Sequence, residues 1–432
     1  TAGETSTVVF RSTRPGSSRN SHWRMQDSGG RLLISLSTNG RVGTNLTFGT
    51  KFDKRCLMEK SPVSSPVRYH GLDALRAITM ALGIVLHAAL PYFDTSGFWP
   101  SDKGDSNVIW AIFEFIHLWR MPLFFILAGF FAALVVDRRS WRAFWRQRLR
   151  RVGLPLLVFL PLIALTMPYI WLYGFKGTFT GYIGSEGYSN PWHLWFLFHL
   201  LIFVIFMAIW KLIRQVSSII VQVQRIRNIW HKSVGAILQV IYFPVPVLLF
   251  ISLVVLLIPS GAELIGNPLA GFLYFSFGYG LFRRHTLVGI FKRFWAIYLG
   301  LGMSGFFVYL WAAPQVTDIY KSGGQDDGLG MLYISLKVGC AIAFSLGFIG
   351  LAEDRLGGHS HKWRWLADSS YWVYVVHLPV VTLVTFWMFT ISIPNEIKFI
   401  LAILTTSAFA LVTYEFFVRR SLVGVLLNGR RY

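Results

Sequence analysis

The chain has 432 residues, of which 54% are hydrophobic and 14% charged, with a formal net charge of +21. Mean hydropathy is +0.51, and apolar stretches of about 18 residues or more recur along it, each long enough to cross a ~30 Å hydrocarbon core as a helix. This excludes a soluble globular enzyme; Cys56 and Cys340 are too few and too dispersed for a disulfide framework or a metal cluster.

Residues 1–66 stand apart from the rest. Ser, Thr, Gly and Arg dominate there, and no apolar periodicity persists. The expectation is a disordered basic tail, or a mis-called extension, since the chain begins with Thr and Met58 would be a natural start. Residues 67–432 read as one all-α domain, a polytopic transmembrane helical bundle of about ten spans. The apolar runs fall near 72–92, 108–134, 152–173, 192–213, 237–258, 267–282, 294–313, 330–350, 368–389 and 397–418. Basic residues mark alternate connections: the arginines from 138 to 151, then 214–232, 283–293, 355–364 and 419–431. The opposite connections carry only Lys103, Lys176 and Lys321. This positive-inside pattern puts both termini in the cytoplasm and makes the chain a multi-pass protein of the cell's inner membrane. The excess charge therefore reports topology, and the partner it implies is a lipid bilayer, not nucleic acid.

The first span places Asp73, Arg76, Met80 and His87 on one stripe. Eleven residues separate Arg76 from His87, nearly a whole number of turns, so the imidazole lies about 16 Å deeper than the guanidinium on the same face. Asp73 and Arg76 are three apart and can pair at the interface. Ionisable groups inside membranes are costly and point to function, and a neutral imidazole suits general-base work. The plain alternative is a histidine bonded to a neighbouring helix and an arginine snorkelling to the headgroups. In the second span Glu114, His117 and Arg120 recur every third residue as a slanted polar stripe toward the outer half. Pro122 should kink this helix, and Gly129 permits close approach of another.

The connection from Asp137 to Arg151 sets Trp141, Phe144, Trp145 and Leu149 opposite its arginines, as in an interfacial amphipathic helix. Arg148 and Arg151, three apart, would grip a phosphate from one side. The fourth span opens with Trp192 and Trp195 as interface anchors and His193 between them. Residues 174–191 and 314–329 are Gly-rich and suit either a glycan-facing mouth or plain connectors. Late in the chain Tyr371, Tyr374 and His377 share a face, as a polar site or one satisfied structural network. No Gly-rich phosphate loop, zinc signature or serine nucleophile elbow is present in the sequence, so the expected chemistry needs no metal and no covalent serine.

Together these elements resemble the acyltransferase-3 family of multi-spanning membrane O-acyltransferases over roughly residues 68–420. The resemblance rests on Leu72-Asp-Ala-Leu-Arg76 followed by His87, Arg120-Met-Pro-Leu-Phe-Phe-Ile-Leu-Ala-Gly-Phe-Phe131, Arg148-Leu-Arg-Arg151 and Ser370-Tyr-Trp-Val-Tyr-Val-Val-His377. The second-helix wording is similar to the branch containing succinyltransferases of periplasmic glucans. The resemblance implies transfer of an acyl group, acetyl or succinyl, from cytoplasmic acyl-CoA to a hydroxyl of an extracytoplasmic glycan. It implies that Arg76, Arg148 and Arg151 hold the CoA phosphates. His87 would take the hydroxyl proton or the acyl group, with Asp73, Glu114 and His117 as further catalytic candidates. Arg120, His193, Tyr371, Tyr374 and His377 would meet the acceptor. Three rivals remain open at this level: a transporter or flippase for an anionic solute or glycan, a non-catalytic partner in polysaccharide assembly, and a membrane O-acyltransferase of another superfamily. Nothing in the sequence sets the acyl group, the acceptor or the oligomeric state.

Overall fold

Short polar side chains and glycines set the helix boundaries. The computed structural model describes residues 23–27, 30–34, 69–95, 97–181, 191–220, 247–258, 267–324 and 327–429, and the chain divides into residues 1–68 and 69–432. In the first unit, β1 (Trp23–Asp27) and β2 (Gly30–Ile34) pair antiparallel, Trp23 opposite Ile34 and Asp27 opposite Gly30. The rest of the expected tail, Met58 included, lies outside the described residues.

In the second unit the helices run α1 (His70–Ala89), α2 (Asn107–Arg138), α3 (Trp141–Arg148), α4 (Leu154–Lys176), α5 (Trp195–Ile220) and α6 (Val247–Leu257). Then follow α7 (Pro268–Arg283), α8 (Thr286–Lys321), α9 (Asp327–Arg355), α10 (His361–Trp387), α11 (Asn395–Thr413) and α12 (Leu422–Asn428). Ser106, Ser140 and Ser360 accept from the amides of Ile109, Ala143 and Trp363, satisfying donors that a helix start leaves unpaired. Helix α1 lacks a cap of its own, and Glu353 of α9 supplies it, accepting from the Leu72 amide at 3.0 Å. Gly177, at φ 69°, closes α4 in the left-handed conformation that costs glycine least.

Eight helical stretches among the described residues are long and apolar enough to cross a membrane. The expected span near 267–282 is α7, only 16 residues long. The expected span at 237–258 survives as the 11 residues of α6, with residues 221–246 outside those described. One expected boundary moves. The basic segment 141–148 does not lie apart as an interfacial helix but runs on into α4 through a π turn, Leu149–Gly153. On its aromatic side Phe144 is fully buried and Lys211 of α5 sits over the Trp141 ring at 4.9 Å, while Leu149 is exposed.

Burial sorts the spans. Helices α1, α2, α9 and α10 bury 61%, 67%, 61% and 56% of their apolar windows, whereas α4, α5, α8 and α11 bury 39%, 33%, 28% and 33%. The first four form the interior, and the others expose Leu157, Leu162, Ile209, Leu301, Phe307 and Leu404 as a lipid-facing belt. Small residues let the interior helices close. A Cβ at Gly129 would run into the Phe275 carbonyl, and one at Gly278 into the Ile126 carbonyl, so α2 and α7 meet backbone to backbone. Gly278→Leu should force these helices apart, destabilising the protein by about 1–3 kcal/mol. The expected readout is a clear fall in Tm in detergent micelles; an unchanged Tm would show the contact to be dispensable.

Candidate functional site

Four interior helices and one short turn bring polar side chains toward one another. Thr79, Met80, Gly83 and His87 share a face of α1, and His117 and Arg120 come from α2. Lys337 comes from α9, Tyr374 and His377 from α10, and His193 from the short turn Trp192–Leu194 before α5. All except Gly83 line a pocket of about 140 Å³.

The local sequence explains the placement of His193 and His377. Pro379 lacks the amide that would pair with the Val375 carbonyl in α10. The freed carbonyl accepts from His193 Nε2 at 3.2 Å. Tyr374 returns the contact, its hydroxyl donating to the His193 carbonyl at 2.7 Å. The turn that carries His193 is strained, since Trp192 sits at φ 48°, a left-handed conformation rare for an aromatic residue. His377 Nδ1 donates to the Tyr374 carbonyl at 2.7 Å. A carbonyl only accepts, so in the neutral rings the proton sits on His193 Nε2 and His377 Nδ1. The lone pairs on His193 Nδ1 and His377 Nε2 are left without a partner.

The rings are close: His87 lies 5.3 Å from His377, and His193 lies 5.1 Å from His377 and 5.3 Å from Tyr374. His87 Nδ1 and Arg120 Nε are also buried with no hydrogen-bond partner. Four such atoms around one pocket are unusual, because buried polar groups are nearly always paired. They describe a site shaped for a polar ligand. Gly83 makes room for it: a Cβ there would stand 2.8 Å from Arg120 Nη1 and 3.1 Å from His377 Nε2.

Six residues singled out from the sequence therefore meet: His87, His117, Arg120, His193, Tyr374 and His377. Glu114 does not line the pocket. Its Oε2 accepts from the Tyr309 hydroxyl at 2.6 Å, Tyr309 and Tyr333 hydroxyls lie 3.4 Å apart, and Lys337 Nζ donates to Tyr333 at 3.4 Å. That chain links the carboxylate to the pocket through Lys337, which the sequence reading passed over. A lone lysine within the apolar run 330–350 was the available signal.

Asp73, Arg76, Arg148, Arg151 and Tyr371 lie elsewhere, toward the other end of α1. Arg76 pairs with Asp73 at 3.3 Å and lies over the Phe131 ring at 5.3 Å. Arg148 is close enough to Arg76 and Arg151 for their charges to repel. A π turn, Leu149–Gly153, carries Arg151 on from Arg148. Arg148 lies over Phe144 at 5.3 Å, while Arg151 packs against Gly429 just after α12. Tyr371 donates to the Arg151 carbonyl at 2.8 Å, so the phenol of Tyr371 serves the arginine end and that of Tyr374 the histidine pocket. The single network expected for Tyr371, Tyr374 and His377 is thus divided between two sites. Among the described residues no group of three or more His, Cys, Asp or Glu is arranged to hold a metal ion.

Comparison with known proteins places this geometry. Glucans biosynthesis protein C of Escherichia coli strain K12 is 34% identical over 151 residues, which cover 33% of this chain and 38% of that protein. The same protein from strain SMS-3-5 is 33% identical over the same lengths. The match thus spans well under half of these relatives. No solved structure matches the chain. The family model of the acyltransferase domain Acyl_transf_3 matches residues 69–415, from the first residue before α1 to the end of α11 and just beyond. With that match covering most of its length, the chain belongs to the acyltransferase-3 family.

Proposed function

We propose that the protein moves an acyl group from acyl-CoA, bound at the arginine end of α1, to a hydroxyl of a glucan or related glycan arriving from the other end. The single observation that carries this reading is the placement of His87: it shares one helix with Arg76, yet sits in a pocket with four unpartnered buried polar atoms. A helix of this length separates the two functions by about 16 Å, so a long phosphorylated donor can be held at one end while its thioester reaches the other. The printed name of the matched relatives, glucans biosynthesis protein C, supports a glucan acceptor.

In this mechanism Arg76, Arg148 and Arg151 bind the CoA phosphates, with Asp73 orienting Arg76. Tyr371 steadies the π turn that carries Arg151. His87 takes the proton from the acceptor hydroxyl as its oxygen attacks the thioester carbonyl. The carbon–sulfur bond breaks, and the CoA thiolate leaves and is protonated. Arg120 meets the oxyanion that forms between these steps. His117, His193, Tyr374 and His377 shape the acceptor side, and Glu114 balances Lys337 through the two tyrosines. Among the described residues the pocket lining holds Arg120 and Lys337 and no carboxylate, which favours succinyl over acetyl. Ten spans with both termini cytoplasmic, in the inner membrane, complete the proposal and rest on the alternation of basic connections.

The test is transfer of label from succinyl- and acetyl-CoA to glucan oligosaccharides by purified protein in proteoliposomes. His87→Ala should lower the rate by about 100- to 10,000-fold with donor binding retained. Arg148→Ala should raise the donor Kd about tenfold or more. Wild-type protein that neither binds CoA nor labels glucan would overturn the reading in favour of transport. Gly83→Ala offers a separate check. The helix gains propensity of about 1 kcal/mol, so Tm should hold, while displacement of Arg120 and His377 should cut transfer about tenfold or more. Normal transfer in this variant would remove Arg120 from the reaction.

A further inference from the structure

Between α1 and α2 the chain turns back over the end of the helix pair farthest from the arginines. Residues 97–106 form a strap that is fastened at both edges. The Asp102 amide donates to the Pro91 carbonyl and the Ser106 amide to the Tyr92 carbonyl, each at 2.8 Å. Thr95 Oγ1 accepts from the Trp99 amide and donates to the Trp99 carbonyl, both at 3.2 Å. Asp102 pairs with Lys398 of α11 at 2.6 Å, the two side chains 4% and 5% exposed, and Ser106 Oγ donates to Glu396 at 2.7 Å. A buried pair of this kind is strongly destabilising to break from one side, so the strap is held at a defined height.

What the strap delivers is one indole. Trp99 is 5% exposed, and its ring stacks on His87 at 5.9 Å and 14°. Its other side meets Trp171 edge-on at 4.5 Å, and Trp171 in turn meets Trp192 at 4.7 Å, the residue held at φ 48°. Gly174 of α4 lets the strap close, because a Cβ there would stand 2.8 Å from Pro100 Cγ. Trp99 Nε1 is buried and donates to nothing in the protein. An aromatic wall thus covers His87 on the acceptor side, and it carries a hydrogen-bond donor with no partner.

We propose that Trp99 is the specificity-determining residue that makes His87 deliver the acyl group to a sugar hydroxyl instead of water. The inference rests on the acyl-transfer reading above. A histidine able to activate a sugar hydroxyl activates water equally well, and nothing in its chemistry separates the two. Exclusion must come from the wall. Before the acceptor arrives the indole keeps water from His87. The acceptor ring then packs against the indole, and the free indole N–H finds a sugar oxygen. With the indole removed, water attacks the thioester carbonyl, His87 takes its proton, the carbon–sulfur bond breaks, and free carboxylic acid and CoA thiol are released.

The experiment measures thiol release from succinyl-CoA by protein in proteoliposomes, with and without glucan oligosaccharides, alongside label on the glucan. Trp99→Ala should raise acceptor-independent thiol release about tenfold or more, and lower the glucan label formed per thiol released. Trp99→Phe, which keeps an aromatic cover, should return that ratio toward wild type. Adding His87→Ala to Trp99→Ala should abolish the extra hydrolysis. Where Trp99→Ala does not yield folded protein, Trp99→Leu is read in the same way. Thiol release no greater than wild type in a folded Trp99 variant, with transfer falling only as Tm falls, would make Trp99 a packing residue and overturn the proposal. Wild-type protein that turns over no acyl-CoA at all would instead sink the acyl-transfer reading, and this inference with it.

Discussion

Arg120 brings a cation into the middle of a membrane domain, and the interior is arranged around that cost. A charged group at such depth is tolerated only where protein or ligand surrounds it. Gly83 gives up its side chain so that the guanidinium can stand against α1 and His377. His377 donates its own proton backward to the Tyr374 carbonyl and so offers only a lone pair toward the arginine. Pro379 frees the Val375 carbonyl, which fixes His193 from the adjoining turn. Each of these features lacks a purpose alone. Around a buried guanidinium they form one consistent set.

The set is incomplete without a ligand. Arg120 and Lys337 both line the pocket, and a hydrogen-bond chain through two tyrosines runs from Lys337 to the Glu114 carboxylate. Arg120 Nε, His87 Nδ1 and the lone pairs on His193 Nδ1 and His377 Nε2 remain unmatched within the protein. Such an interior is stable because the surrounding helices are well packed, with glycines drawing α2 against α7 and α9 against α8. The same rigidity would preorganise the pocket for charge that develops only during reaction.

The two ends of α1 differ in kind. At one end Arg76, Arg148 and Arg151 gather around a π turn, an irregularity that often marks functional positions in helices. At the other end the strap of residues 97–106 is locked to α11 by a buried ion pair and lays an indole over His87. One end is open, cationic and polar; the other is closed and aromatic. The proposed direction of group transfer rests on that asymmetry.

The sequence by itself determined the all-helical membrane class, the helix faces and the rank of the first two spans. Those follow from apolar run length, the 3.6-residue period and the rarity of ionisable residues in such runs, all of which are local properties. Thus His87, His117, Arg120, His193, Tyr374 and His377 could be singled out before their meeting was known. Only the tertiary structure decided which of them meet. Tyr371 and Tyr374 share a helix face yet serve different sites, because the π turn and the Trp192–Leu194 turn approach α10 at different heights. A π turn carries Arg151 past Arg148, which no spacing rule announces. Lys337 joins the pocket from a span more than two hundred residues beyond Arg120 in sequence, and Trp99 comes from a loop with no helical period to read. Distance along the chain hides such contacts; they exist only because packing of the interior helices brings those residues into one volume.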